Sequence, residues 1–145
     1  AEGFEITPAL NDAWFNDAQP GQGFFLTVLP QSQLVFLGWF TYDTERPPAD
    51  AIGKLGDPGH RWLTAFGPYE GNRAVLDIEK TTGGIFDSAT PKPEQGLDGT
   101  SKLTFEGCNS ATLSYEIPSI NRSGVIPIAR VVDENVDACE DASTR

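Results

Sequence analysis

The chain has no methionine, a single histidine and two cysteines, and each shortage closes off a chemistry. With His60 alone, neither a histidine-rich zinc site nor a Ser-His-Asp relay has its parts. Its setting, Pro58-Gly59-His60-Arg61, gives it a surface or loop-anchoring role. Cys108 and Cys139 are not spaced as Cys-x-x-Cys, so dithiol redox catalysis has no motif. Gly-x-Ser-x-Gly and phosphate-cradling loops are absent. Gly21-Gln22-Gly23 precedes a strand-like run, which makes it turn or bulge chemistry. No cofactor is implied. No run of about 18 apolar residues occurs, so no membrane span is expected.

Positive charge is also scarce. Ten Lys and Arg stand against 21 Asp and Glu, for a net charge of −11. Such a surface repels phosphate backbones and anionic lipid, which argues against nucleic-acid and membrane-surface partners. The acidic tail, Asp133-Glu134, Asp137 and Glu140-Asp141, lacks the EF-hand spacing. It reads as a solvated tail rather than a calcium site, and no metal ligands are assigned.

What is present is strand signal. Apolar alternation recurs between clusters of Gly, Pro, Asn and Asp, and helical periodicity is nearly missing. Eight strands are expected: Asp12–Asn16, Gln22–Leu29, Leu34–Asp43, Arg61–Phe66, Arg73–Lys80, Thr100–Glu106, Ala111–Ile117 and Gly124–Val132. Long loops separate the third from the fourth and the fifth from the sixth. Hairpin-joined strands form a meander, and a long meander must hide its edges. The fold expected is all-β, an eight-stranded antiparallel up-and-down barrel, with a two-sheet sandwich as the alternative. One domain covers residues 1–145, with an acidic tail from about 133.

The two cysteines allow a disulfide or two free thiols. Cys108 sits in a turn between strand-like runs and Cys139 in the tail. A bridge would tie the tail to a hairpin, close a loop of about 30 residues and stabilise the fold by roughly 3–4 kcal/mol. The disulfide is the reading adopted, and it implies an oxidising compartment: periplasm, cell surface or medium. The start at Ala1-Glu2-Gly3 fits a mature secreted chain.

The strands are not alike. Leu103 and Phe105 oppose Lys102, Thr104 and Glu106, and Leu113, Tyr115 and Ile117 oppose Thr112, Ser114 and Glu116. One face is core and the other is water. The strand Leu34–Asp43 is apolar on both faces: Leu34, Phe36, Phe40 and Tyr42 on one, Val35, Leu37 and Trp39 on the other. Phe24, Leu26 and Val28 likewise back onto Phe25 and Leu29. The second set of rings needs a cover: a loop, a partner subunit or a ligand.

Trp14-Phe15-Asn16, Gly21-Gln22-Gly23-Phe24, Gly38-Trp39-Phe40-Thr41-Tyr42-Asp43, Arg61-Trp62-Leu63, Thr82-Gly83-Gly84-Ile85-Phe86 and Gly99-Thr100-Ser101-Lys102-Leu103-Thr104-Phe105 together resemble a module of secreted bacterial proteins. That module reads W-[WYF]-N-P, G-x-G-[FI], W-F-T-Y-D, W-L, T-x-G-G-x-F and G-T-x-x-L-x-F. The resemblance runs from about Trp14 to Arg130. It departs at Asp17, where the module has proline, and at the insert Glu45–His60. It implies secretion and a β fold, and no activity, the family being uncharacterised. A more limited resemblance is to the avidins, also eight-stranded meander barrels. It would put Asn16 where a biotin ureido contact lies and point Tyr42 inward. No tryptophan follows Trp62, whereas avidins enclose biotin with later tryptophans, so biotin binding is not expected.

The leading expectation is a secreted, non-catalytic binding module. Its ligand would be a saccharide or a small amphipathic molecule, held at the barrel mouth or on the aromatic face by Trp14, Asn16, Trp39, Tyr42, Asp43 and Trp62. Arg46 and Arg61 could fork a carboxylate or pin the long loop. The alternatives are a cell-surface structural or protein-interaction module, as monomer or homodimer, and a small glycoside hydrolase using Asp43 and Glu45, with Asp57 near them.

Overall fold

A computed structural model describes residues 4–19, 21–42, 47–52, 60–85 and 87–143. Eight antiparallel strands form a closed barrel in sequence order: β1 (Asp12–Phe15), β2 (Gly23–Leu29), β3 (Leu34–Tyr42), β4 (His60–Glu70), β5 (Arg73–Thr82), β6 (Glu94–Gly107), β7 (Ser110–Ile117) and β8 (Arg122–Arg130). Closure is made by β1 on β8, with Trp14 opposite Arg130 and Phe15 opposite Ala129. The seam is short: Arg122–Ile128 of β8 pairs with β7 and has no ladder partner among the described residues of β1. Closure elsewhere hides the strand edges that a long meander would expose.

Seven strands differ from the sequence expectation in extent, β1, β2 and β7 by one residue, β5 by two at its end, and β8 also by ending at Arg130 rather than Val132. β4 runs on through Gly67-Pro68, because Tyr69 N–H still finds Gln33 O at 3.2 Å beyond the proline. β6 begins at Glu94, in what reads as loop, because the end of β5 offers it a backbone partner from Lys80 to Thr82. β8 begins at Arg122, one residue after a short 3-10 turn, Pro118–Ile120, that Asn121 caps. The acidic tail, read from sequence only as solvated, carries a helix: α1 spans Val136–Ser143. The Cys108–Cys139 disulfide fastens it to the β6–β7 turn, and Cys139 is fully buried. Bridging residues 31 apart stabilises the fold by roughly 3–4 kcal/mol.

The barrel has two unlike ends. Connections at one end are short: residues 30–33, 71–72 and 108–109. This base is sealed by the N-terminal segment, where Ile6 and the 3-10 helix Pro8–Leu10 pack on Trp14 and Phe105. Ile6 N–H bonds Gly71 O at 2.8 Å to hold that segment across the β4–β5 turn. The other end carries the longer connections, 16–22, 43–59, 83–93 and 118–121, and the described residues there surround a cavity.

Alternation decides what lies inside. Val35, Leu37 and Trp39 on β3 join Leu76, Ile78, Leu103, Leu113 and Ile128 in one core. The opposite rings point outward: Phe25, Phe36, Phe40, Trp62 and Phe66 remain 41–58% exposed.

Candidate functional site

The open end is a cup of about 770 Å³, within the usual range of small-molecule sites. Trp39, Leu63, Tyr115, Ile117 and Ile126 form its apolar wall. Trp39 and Tyr115 meet edge to face at 5.5 Å, an arrangement that aromatic quadrupoles favour. Tyr115 can lie down over β8 because its cross-strand neighbour is Gly124. A Cβ there would sit 2.8 Å from the Tyr115 hydroxyl oxygen.

Above the apolar wall stands a polar ring, built by carrying each strand's inward periodicity one step past its last apolar residue. Gln22 continues Phe24, Thr41 continues Trp39, Arg61 continues Leu63, Lys80 continues Ile78, and Arg122 continues Gly124 and Ile126; all line the cup. β6 reaches the ring by a different route. Its register against β5 slips between Asp77 and Glu79. The bulge holds Gly99 at φ 105° with its α-carbon against the Glu116 backbone. The extra residue swings Asp98 into the cup and Leu97 out to solvent, the re-aiming that bulges perform.

Part of this ring is internally satisfied. Thr41 Oγ1 donates to Gln22 Oε1 at 2.6 Å. Asp98 takes the Ser119 hydroxyl and, at 3.3 Å, the Ser119 N–H, and Lys80 Nζ stands 3.7 Å away. The Ser119 hydroxyl chiefly holds the Asp98 carboxyl below its ordinary value; burial opposes this, and the Ser119 amide and Lys80 add to the lowering. These contacts lash the 118–121 lip to β6. Arg61 and Arg122 make no ion pair with a described residue. β4 and β8 lie four strands apart in the eight-stranded ring, so the two guanidinium groups stand on opposite sides of the mouth.

The residues expected at a site are dispersed. Trp39 and Tyr42 line the cup, Tyr42 with its hydroxyl end over Gly21. Asn16 heads the turn that brings Gln19 and Gln22 to the rim, and its side chain accepts the Ala18 N–H at 3.0 Å. Trp62 is on the outer wall, beside a shallower hollow shared with Thr82, Gly83, Gly84 and Ile85. Trp14 is at the far end, 1% exposed, with its Nε1 donating to Leu10 O at 3.0 Å. Asp43, Glu45, Arg46 and Asp57 lie outside the described residues, as does the side chain of His60. Asp98 is the one carboxylate among the described cup residues. The described residues contain no cluster of three or more metal-ligating side chains, and no helix among them is long and apolar enough to cross a membrane.

Sequence reasoning missed the ring residues Gln22, Thr41, Lys80, Asp98 and Arg122. The signal for Lys80 and Arg122 was parity, extended beyond the apolar run. Asp98 had no such signal, because its orientation depends on a bulge.

Outside, the exposed rings form one tract over β2, β3 and β4. Phe36 pairs across strands with Phe66 and Phe40 with Trp62, and Phe25 meets Phe40 at 5.1 Å. No family model, curated protein or solved structure matches the chain.

Proposed function

We propose that the protein is a secreted binding module that takes a small amphipathic ligand into the cup at the barrel mouth. The carrying observation is the layering of that cup: an apolar wall around Trp39 and Tyr115 beneath a ring of polar and charged groups. Apolar burial would supply the affinity and the ring the orientation. The Cys108–Cys139 bridge supports an oxidising compartment. Native mass spectrometry of the purified protein tests the reading, with expected detection of a bound small molecule that is lost in Trp39→Ala. Intrinsic fluorescence adds a local probe, because of the three tryptophans only Trp39 lines the cup. A folded protein whose tryptophan emission is indifferent to every amphiphile offered refutes it.

A second reading rests on the outer tract of Phe25, Phe36, Phe40, Trp62 and Phe66. Contiguous exposed rings mark interaction surfaces, and here they would support a homodimer or docking on a protein of the cell surface. Light scattering across a concentration series tests it; a strict monomer with no dependence on Phe36 refutes self-association.

A further inference from the structure

Among the described residues, the charge lining the cup is opposite in sign to that of the protein: Arg61, Lys80 and Arg122 line it, against one carboxylate, Asp98. Lys80 is matched with Asp98, which among the described residues leaves Arg61 and Arg122 to set the sign. Low-dielectric walls focus the field of such groups into a cleft, and a guanidinium presents a fork that fits planar or tetrahedral oxyanions. In a chain of net charge −11, general repulsion should discourage anions, so a local reversal of sign is informative only where an anion must enter. The nearest polar groups agree. Tyr115 carries a hydroxyl into the same space, and Gln22 and Thr41 satisfy each other. A neutral saccharide would accept hydrogen bonds from these guanidinium groups but gain nothing from their charge, whereas an anion gains both.

We infer that the cup selects amphipathic anions, with the apolar body against Trp39, Leu63 and Tyr115 and the oxyanion head held at the mouth by Arg61 and Arg122. This rests on the binding reading given above and adds the head-group class. The apolar wall accepts any greasy body of suitable size, and the two arginines discriminate by charge.

Three probes of one chain length separate the two ideas: decanoate, decanol and decyltrimethylammonium, each titrated below its micelle concentration and followed by calorimetry and tryptophan emission. Decyl phosphate is a fourth arm that distinguishes a carboxylate from a phosphate head. The inference expects decanoate or decyl phosphate to bind at least about tenfold tighter than decanol, with the ammonium compound weakest. Arg61→Gln and Arg122→Gln should each weaken the anion about fivefold to tenfold, leave decanol unchanged, and reduce the salt dependence of anion binding. Circular dichroism checks that both variants fold. Equal binding of decanol and decanoate, unaffected by either substitution, overturns the head-group inference while the cup reading stands. Failure of all four probes to bind overturns both.

Discussion

The guanidinium carbon of Arg130 lies 5.0 Å from the ring centre of Trp14, so the last strand of the barrel is stacked on the first. The side chain is fully buried, and each of its three nitrogens donates a hydrogen bond: Nε to Cys108 O at 2.7 Å, Nη1 to Asp12 Oδ2 at 2.9 Å and Nη2 to Ala9 O at 3.0 Å. One residue thus joins β8, β1, the N-terminal 3-10 helix and the disulfide-bearing turn. Truncation would leave Asp12 and two carbonyls without their partner, and losing one member of a buried ion pair costs about 3–5 kcal/mol. Arg130→Ala is therefore expected to lose about that much stability in urea unfolding. Arg130→Lys should recover only part of it, because an ammonium group cannot reproduce the fork. A loss below about 1 kcal/mol would place the base clasp outside the cooperative unit.

Acid should open the base and the lip together. Burial pushes the Asp12 carboxyl up, but the Ala13 N–H, the Arg130 and Asn135 donors and the charge of Arg130 outweigh it, and the net shift is down from the ordinary value of 3.8. Asp98 is also lowered from 3.8. A carboxylate with a lowered folded pKa adds stability that is complete above its unfolded value and disappears as pH falls through the folded one. Stability from these two groups should be level above about pH 5 and fall below about pH 4. Asp12→Asn should lower stability at pH 7 and flatten the acid limb. An unchanged acid limb in that variant would mean that the base clasp does not couple to the proton.

Much of the barrel was legible because β5 to β7 alternate, with Val75 the one apolar exception on the outer face. Ile78, Leu103, Phe105, Leu113 and Tyr115 each have polar neighbours on the other side, so these strands must bury one face and wet the other. β2 and β3 were not decidable in that way. Trp39 and Phe36 are equally apolar, and nothing local says which points in. Register settles it: once Leu37 lies opposite Leu26 and Ala65, the odd-numbered side of β3 is inside and Phe36, Phe40 and Phe25 are out. The site was less legible for a related reason. Aromatic residues attract attention in a sequence, and three of the rings singled out separate to three places: Trp14 to the base, Trp62 to the outer wall and Trp39 to the cup. Lys80 and Arg122 sit at strand ends, where a charged residue ordinarily marks only the return to solvent.

The outer tract gives a stability test with an unusual sign. A cross-strand aromatic pair in a core would cost several kcal/mol to remove, yet Phe36 and Phe66 are 41% and 48% exposed. Phe36→Thr with Phe66→Thr should change folding stability by no more than about 1 kcal/mol. It should also lower any self-association seen by light scattering and leave decanol binding unchanged. A double variant that unfolds at room temperature would show that the tract is structural.

Gly124 separates shape from charge within the cup. A valine there must displace the Tyr115 ring, since its Cβ would sit 2.8 Å from the hydroxyl oxygen and 3.0 Å from Cζ. The obstructing atoms are the far end of a side chain that borders open space, so the ring can swing rather than the backbone, and its way out is into the cup. Gly124→Val is expected to remain folded, with a stability change of about 1 kcal/mol, and to weaken decanol and decanoate together by occupying their volume. Arg122→Gln, two residues away at the rim, should weaken decanoate alone. Ser123→Val, on the exposed outward position between them, should alter neither. If Gly124→Val binds both probes as tightly as the unmodified protein does, the apolar wall beside Tyr115 is not where the ligand's body rests.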